Sequence, residues 1–456
     1  MSIQSINPTT GSVLETFEET APADLERMLA DAADGFLAWR ATSIEARAGH
    51  LREAARVLRA RAVEFARTMA FEMGKPVVDG EAEVEKCAAT CEYYADHAAA
   101  MLAPEARDAL AGRATVRFDP LGPVLAVMPW NFPFWQVFRC AAPILTAGDP
   151  MLLKHAANVP RCAREIAGVL RQAGLPRGVF GNLVISSARV AGVIRDPRVA
   201  AVTLTGSEGA GSAVGAEAGR MLKKTVMELG GSDPFVVLAD ADLPRAARAA
   251  ADARLVNGGQ SCIAAKRFVV VADVCDRFTA LLVDEMRARR MGDPLDRATR
   301  VGPQARRELR DALHAQVEAS IARGARRVLG GEVPDGPGAF YPPTVLADVA
   351  PGMPAFDEET FGPVAAIVRA RDEADAIRLA NATSFGLGAS LWTQDTVRAE
   401  RLVADVEAGM VCVNTPVRSD PRLPFGGVKR SGFGRELAEW GIREFTNVKS
   451  VVVGAD

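Results

Sequence analysis

The chain has 456 residues, 49% of them hydrophobic and 24% charged, a globular composition too long for one ordinary core, so two or three domains are expected. Its net charge of −3 includes no long basic run, which argues against nucleic acid as a partner, and no apolar run is long enough to span a bilayer. Seven scattered cysteines make no paired CxxC spacing, and the four histidines, His50, His97, His155 and His314, make no close ligand pair. A reducing, cytoplasmic setting without a structural metal is therefore expected. The first residues, Met1 to Pro8, show no secretory signal pattern.

In chain order, residues 1 to about 20 read as a short β-meander, with Asn7-Pro8 and Thr10-Gly11 as turn signals. Pro22-Ala23-Asp24 opens a helical region running to about 100, with Leu51, Ala54, Ala55 and Leu58 at helical spacing. Gly74-Lys75-Pro76 interrupts it, and the whole region reads as scaffold. Residues 113–118 alternate polar and apolar, a strand pattern.

From Pro123 the pattern becomes strand, turn, helix, repeated. Val124 to Met128, Met151 to Lys154, Val179 to Ile185 and Ala200 to Leu204 read as strands, with helices from about Phe134 and from Pro160. This alternation predicts a parallel, doubly wound sheet, with ligands at the carboxyl ends of its strands. It restarts near 231 with Phe235 to Leu238, a helix from Ala246 to Leu255, and Phe268 to Val271. Residues 330–343 are rich in Gly and Pro and read as a surface loop, and Val448 to Val453 as a last strand joining the 102–120 region.

Cys262 follows Gly258-Gly259-Gln260-Ser261, where the backbone can bend sharply and present a thiol. A thiolate is a strong nucleophile, and a carboxylate such as Glu228 within reach can move protons. A free cysteine is otherwise most often buried and inert. Thr205-Gly206-Ser207 follows a strand and opens a helix whose N–H groups suit a pyrophosphate. Gly209, Gly211 and Gly215 give a spacing one residue longer than the usual dinucleotide fingerprint.

Six stretches, in order, resemble the aldehyde dehydrogenase superfamily. They are Pro129-Trp130-Asn131-Phe132-Pro133, Thr205-Gly206-Ser207, Glu228-Leu229-Gly230-Gly231, Gly259-Gln260-Ser261-Cys262, residues 358–364 and residues 424–436. The resemblance spans nearly the whole chain and is nearest to the family's succinate semialdehyde branch. It implies an α/β fold of two Rossmann-like, doubly wound parallel-sheet domains plus a β-arm for oligomerisation. The cofactor-binding domain would comprise 1–101 and 121–230, the catalytic domain 231–428, and the arm with the C-terminal segment 102–120 and 429–456. The arm would pair with a neighbouring subunit in a homodimer or homotetramer.

The resemblance also implies roles. Cys262 would be the nucleophile, Glu228 the base that activates the hydrolytic water, and Asn131 an oxyanion donor together with the Cys262 N–H. Trp130, Lys154, Gly206, Ser207, Glu359 and Phe361 would hold NAD or NADP. Arg139, Trp135 and Ser419 would bind a short aldehyde carrying a carboxylate, though the residues alone leave open an Arg139 tied to a neighbouring carboxylate.

Three positions depart from the pattern. Ala157 stands where NAD-preferring members carry a Glu, so NADP is admissible. Ala264 stands where many semialdehyde enzymes carry a second Cys, so no redox switch is expected. Val256 stands where a second substrate Arg often occurs. Other readings are a dehydrogenase of glutarate or methylmalonate semialdehyde, a CoA-acylating relative, which Glu228 argues against, and a cysteine hydrolase or silent scaffold. A hydrolase needs a His partner, and none lies near any motif.

Overall fold

The apolar runs at 124–128, 151–155 and 201–205 form the central strands of a six-stranded sheet and are almost wholly buried. The computed structural model describes residues 2–109 and 112–454. Across this sheet the strands lie in the order Phe180–Asn182, Met151–His155, Val124–Met128, Ala201–Thr205, Lys224–Glu228 and Gly432–Phe433. The first five are parallel, and the last runs antiparallel to Lys224–Glu228. The chain leaves Val124–Met128 for one neighbour and returns on the other side at Ala201–Thr205. The carboxyl ends of those two strands therefore flank the topological switch point, where ligands bind in such sheets. Pro129-Trp130-Asn131 follows one end and Gly206-Ser207 the other.

A second sheet has seven strands in the order Arg326–Leu329, Thr344–Ala347, Val364–Ala370, Arg267–Val271, Pro234–Val237, Gly388–Trp392 and Met410–Val413. All but the first are parallel. Sequence reasoning found only two of them, Pro234–Val237 and Arg267–Val271. The expected strand at 179–185 is shorter, Phe180–Asn182, and lies at the sheet edge with one neighbour.

The helical region divides into Pro22–Trp39, Ile44–Ala60, Ala62–Met73 and Val77–Met101. Gly74 ends the third in the left-handed conformation (φ 77°), where glycine carries no Cβ penalty. The long helix Val77–Met101 packs on Trp135–Ala147, a helix buried along its whole length. No described helix is long and apolar enough to cross a membrane.

Glu105–Ala109, Gly112–Pro120 and Thr446–Val453 form a three-stranded antiparallel arm with Gly112–Pro120 in the centre. The last strand joins the arm as expected, but within the same chain, from Thr446 opposite Pro120 to Val453 opposite Arg113. The central strand of the arm is therefore bonded on both sides within the chain. The 429–456 segment also returns Gly432–Phe433 to the first sheet and packs the helix Ala438–Glu444 against Trp135–Ala147.

Candidate active site

Cys262 sits in a loop held from three directions. Asn257 (φ 54°) and Gly258 (φ 63°) turn the chain through the left-handed region just before it. A Cβ on Gly259 would lie 2.2 Å from the Gly362 carbonyl oxygen, so only glycine lets the loop pack on residues 359–362. The buried Lys266 ammonium donates to the carbonyls of Cys262 (2.8 Å), Ser261 (3.1 Å) and Ala264 (3.2 Å). From the first sheet, Asn131 Nδ2 donates to the Gln260 carbonyl at 3.1 Å, while Asn257 Nδ2 donates to the carbonyls of Asn131 (2.7 Å) and Gln260 (3.0 Å). One Asn131 amide hydrogen is thereby engaged and the other remains available.

The loops bearing Gly231, Cys262 and Glu359 all precede their strands, so the site lies at the amino ends of the second sheet, facing the carboxyl ends of the first. Burial pushes the Cys262 thiol up to about 12; the nearby cations Arg139 and Lys266 oppose that, and Glu359 and Asp233 add to it. The resting thiol is therefore neutral.

Glu228 ends its strand almost fully buried, and neither carboxyl oxygen has a hydrogen-bond partner among the described residues. A Cβ on Gly426 would sit 2.7 Å from Glu228 Oε1, so this side chain occupies the space the missing methyl leaves. Burial, reinforced by the nearby Glu436 carboxylate, holds Glu228 well above the usual carboxylate range, against Arg139 and Arg435. Glu228 does not line the cavity that opens at Cys262.

That cavity, of about 560 Å³, is bounded by Cys262, Phe132, Trp135, Arg139, Ser419, Phe425 and Lys86, among others. It brings together all three residues expected to bind substrate, but their states differ. The Arg139 guanidinium forms a buried ion pair with Glu436, donates to Thr205 Oγ1 at 2.9 Å and lies 4.6 Å from the Phe425 ring centroid. Arg139 thus lines the cavity while tied to a neighbouring carboxylate. Ser419 accepts from Lys86 Nζ at 2.5 Å, and Lys86 Nζ lies 4.0 Å from the Trp135 ring centroid. Lys86 went unnoticed because Val77–Met101 reads as scaffold. The available signal was a single lysine on an otherwise acidic and apolar helix, three residues after the buried Glu83.

On the cofactor side, Lys154 is the last residue but one of the strand Met151–His155, buried, with no hydrogen bond or ion pair among the described residues. Burial alone lowers its pKa. Ser207 caps the helix Glu208–Arg220, accepting from the Ala210 N–H at 3.4 Å, and the Gly206 N–H donates to the Glu228 carbonyl at 3.0 Å. Glu359 accepts from the Gly231 N–H at 3.0 Å and lies 3.6 Å from Lys266 Nζ. Trp130 and Phe361, one from each sheet's loops, meet edge to face at 5.7 Å. Ala157 is exposed. Among the described residues no cluster of three or more His, Cys, Asp or Glu could hold a metal ion.

Two doubly wound sheets, with a cysteine loop at the amino ends of one facing the switch point of the other, define a thiol-bearing α/β enzyme class. The chain belongs to the aldehyde dehydrogenase family, whose model matches residues 1–451. It is 50% identical over 447 residues to a succinate semialdehyde dehydrogenase using NAD(P)+ from Escherichia coli K12, covering 98% of this chain and 97% of that protein. It is also 50% identical over 458 residues to a succinate-semialdehyde dehydrogenase using NADP+ from Mycobacterium ulcerans, covering 100% of both. Among solved structures, the succinic semialdehyde dehydrogenase of Streptococcus pyogenes in complex with NADP+ superposes with a TM-score of 0.97 at 37% identity, covering 99% of this chain and 100% of that one.

Proposed function

We propose that this enzyme oxidises a short aldehyde bearing a carboxylate, succinate semialdehyde, to the acid, with NAD or NADP as hydride acceptor. The observation that carries the reading is the single cavity joining the Cys262 thiol to polar groups on its far walls. The named activities of relatives at 50% identity over the full chain support it.

The chain's residues suit a dinucleotide. Lys154 is a buried ammonium near a strand end with no counter-ion among the described residues, and the Gly206-Ser207 turn offers a helix N-terminus at the switch point. Lys154, Gly206 and Ser207 would hold the phosphates and adenosine ribose; Glu359 the second ribose; Trp130 and Phe361 would flank the nicotinamide. With no carboxylate at Ala157, a 2′-phosphate meets no repulsion there.

Cys262 Sγ, once deprotonated, attacks the aldehyde carbon and forms a hemithioacetal. The free Asn131 amide hydrogen and the Cys262 N–H, which donates to no protein acceptor among the described residues, take the developing oxyanion. The dinucleotide supplies the acceptor for the hydride whose loss leaves a thioester on Cys262. Glu228, in its ionised form, then rotates away from Gly426 toward the thioester and takes a proton from the attacking water. The Cys262 thiolate leaves as the acid is released.

The outer edges of the arm support assembly as a homodimer or homotetramer: Thr446–Val453 exposes Val448, Val452 and Val453 beside an unbonded edge. Seven unpaired cysteines suit a reducing cytoplasm. The test is a screen of short aldehydes and semialdehydes with each of NAD and NADP, read by absorbance of the reduced nicotinamide. A preference for uncharged aldehydes over succinate semialdehyde would overturn the substrate reading.

A further inference from the structure

We propose that Glu83 is a positioning residue for the chemistry at Cys262: with Lys75 it fixes the turn that carries Asn131, and so sets where the Asn131 amide meets the oxyanion. The inference rests on the reading of Asn131 as an oxyanion donor and assigns the groups that hold it in place.

Asn131 lies on a short turn between the strand Val124–Met128 and the helix Trp135–Ala147. Phe134 precedes that helix and offers no side-chain cap. The first N–H groups of a helix have no partner within it, and a buried one left unpaired is costly. Glu83 reaches them from another helix, Val77–Met101. One of its carboxyl oxygens accepts from the Phe134 N–H and from the Trp135 N–H, each at 2.9 Å. A negative charge there also suits the positive end of the helix dipole.

The second oxygen forms an ion pair with Lys75, and both side chains are almost wholly buried. Lys75 belongs to the Gly74-Lys75-Pro76 break between two helices, and its ammonium lies 3.8 Å from the centroid of the Phe132 ring. The pair therefore meets the turn twice, at the residue after Asn131 and at the start of the helix.

The other anchors of the turn act on its carbonyls. Asn257 Nδ2 donates to that of Asn131 at 2.7 Å, and His155 Nε2 donates to that of Pro133 at 2.9 Å. A turn held at two carbonyls can still pivot about the line joining them. The two bonds from Glu83 and the ammonium on the Phe132 ring oppose that motion. A misplacement of about 1 Å can cost a catalytic group about 10²-fold in rate, so slack at this turn would be felt in kcat.

The test measures kcat on succinate semialdehyde, with a thermal melt of each variant to keep the comparison on folded enzyme. Glu83→Asp keeps the charge and withdraws the acceptor by one methylene; kcat should fall by about tenfold or more. Glu83→Gln combined with Lys75→Met keeps an acceptor for the two N–H groups and leaves no lone buried charge. That pair should hold kcat within about threefold of the unmodified enzyme. In an Asn131→Ala background Glu83→Asp should change kcat by less than about twofold, because the group it positions is gone. A purely structural role would lower kcat by the same factor in both backgrounds. Equal factors in both backgrounds, an unchanged kcat in Glu83→Asp, or a loss in the Glu83→Gln, Lys75→Met enzyme as large as in Glu83→Asp would overturn the assignment. An Asn131→Ala enzyme that keeps its kcat would remove the oxyanion reading itself, and with it this role for Glu83.

Discussion

Asn131 Nδ2 donates to the Gln260 carbonyl at 3.1 Å, which ties the turn after the first sheet's central strand to the loop that carries Cys262. Asn257 donates to the same carbonyl at 3.0 Å, so the loop keeps an anchor when Asn131 is shortened. Asn131→Ala should therefore act on chemistry more than on folding. We expect kcat to fall about 10²- to 10³-fold, as when one oxyanion donor is removed, with little change in Tm. Steady-state kinetics beside a thermal melt checks this; a large Tm loss with a kcat loss below about tenfold would make Asn131 a structural clamp.

The neutral resting state of Cys262 is open to chemical labelling. Burial pushes its thiol up to about 12, so the thiolate fraction at neutral pH is small and grows about tenfold per pH unit. Iodoacetamide labelling of the cofactor-free enzyme should rise steadily from pH 7 to pH 9 without a plateau. Cys412 is the other half-buried thiol, and a Cys262→Ala sample gives its contribution. A plateau for Cys262 below pH 8 would mean that the thiol is activated before cofactor arrives.

Much of this site can be read from the sequence, because its parts are local. Glycines beside a cysteine, or a strand running into Gly206-Ser207, report their own backbone geometry. The first sheet is legible for a similar reason: its central strands are short, apolar and bounded by turns. Thr344–Ala347, Val364–Ala370, Gly388–Trp392 and Met410–Val413 escaped notice because short buried runs carry no period that separates strand from helix. The partners of Arg139 and Lys86 lie far along the chain, Glu436 by a crossing of sheets and Ser419 on a late loop. No local spacing encodes either pair. The same holds for the arm, where pairing within one chain and pairing with a neighbour have the same strand pattern.

The Arg139–Glu436 pair sets up a stability test. Both groups are almost fully buried, and removing one member leaves the other's charge without a partner. Arg139→Leu should destabilise the fold by about 3–5 kcal/mol and lower activity on succinate semialdehyde and butanal together. Adding Glu436→Leu to Arg139→Leu should recover most of that stability, since no lone buried charge then remains. Denaturant unfolding of the two single variants and the double variant gives the coupling. An Arg139→Leu enzyme of normal stability that loses only succinate semialdehyde would make Arg139 a substrate-binding residue rather than a structural one.

The position of Glu228 predicts how the second half-reaction depends on pH. Burial and the Glu436 carboxylate both hold its carboxyl well above the usual carboxylate range. A neutral carboxyl cannot take a proton from water, so thioester hydrolysis should be slow at low pH. It should rise as Glu228 ionises, with a limb clearly above the ordinary glutamate value of about 4.3. Glu228→Gln should keep the burst of reduced nicotinamide, lose the limb and accumulate acyl-enzyme. Glu436→Gln should move the limb to lower pH, because it removes the opposing carboxylate and leaves Arg139 free to favour the charged form of Glu228. Rapid mixing over a range of pH, with mass detection of the acyl-enzyme, separates the steps. If Glu228→Gln shows neither a burst nor a trapped acyl-enzyme, Glu228 is not the deacylation base. A limb that stays in place in Glu436→Gln would mean that burial alone sets the Glu228 carboxyl.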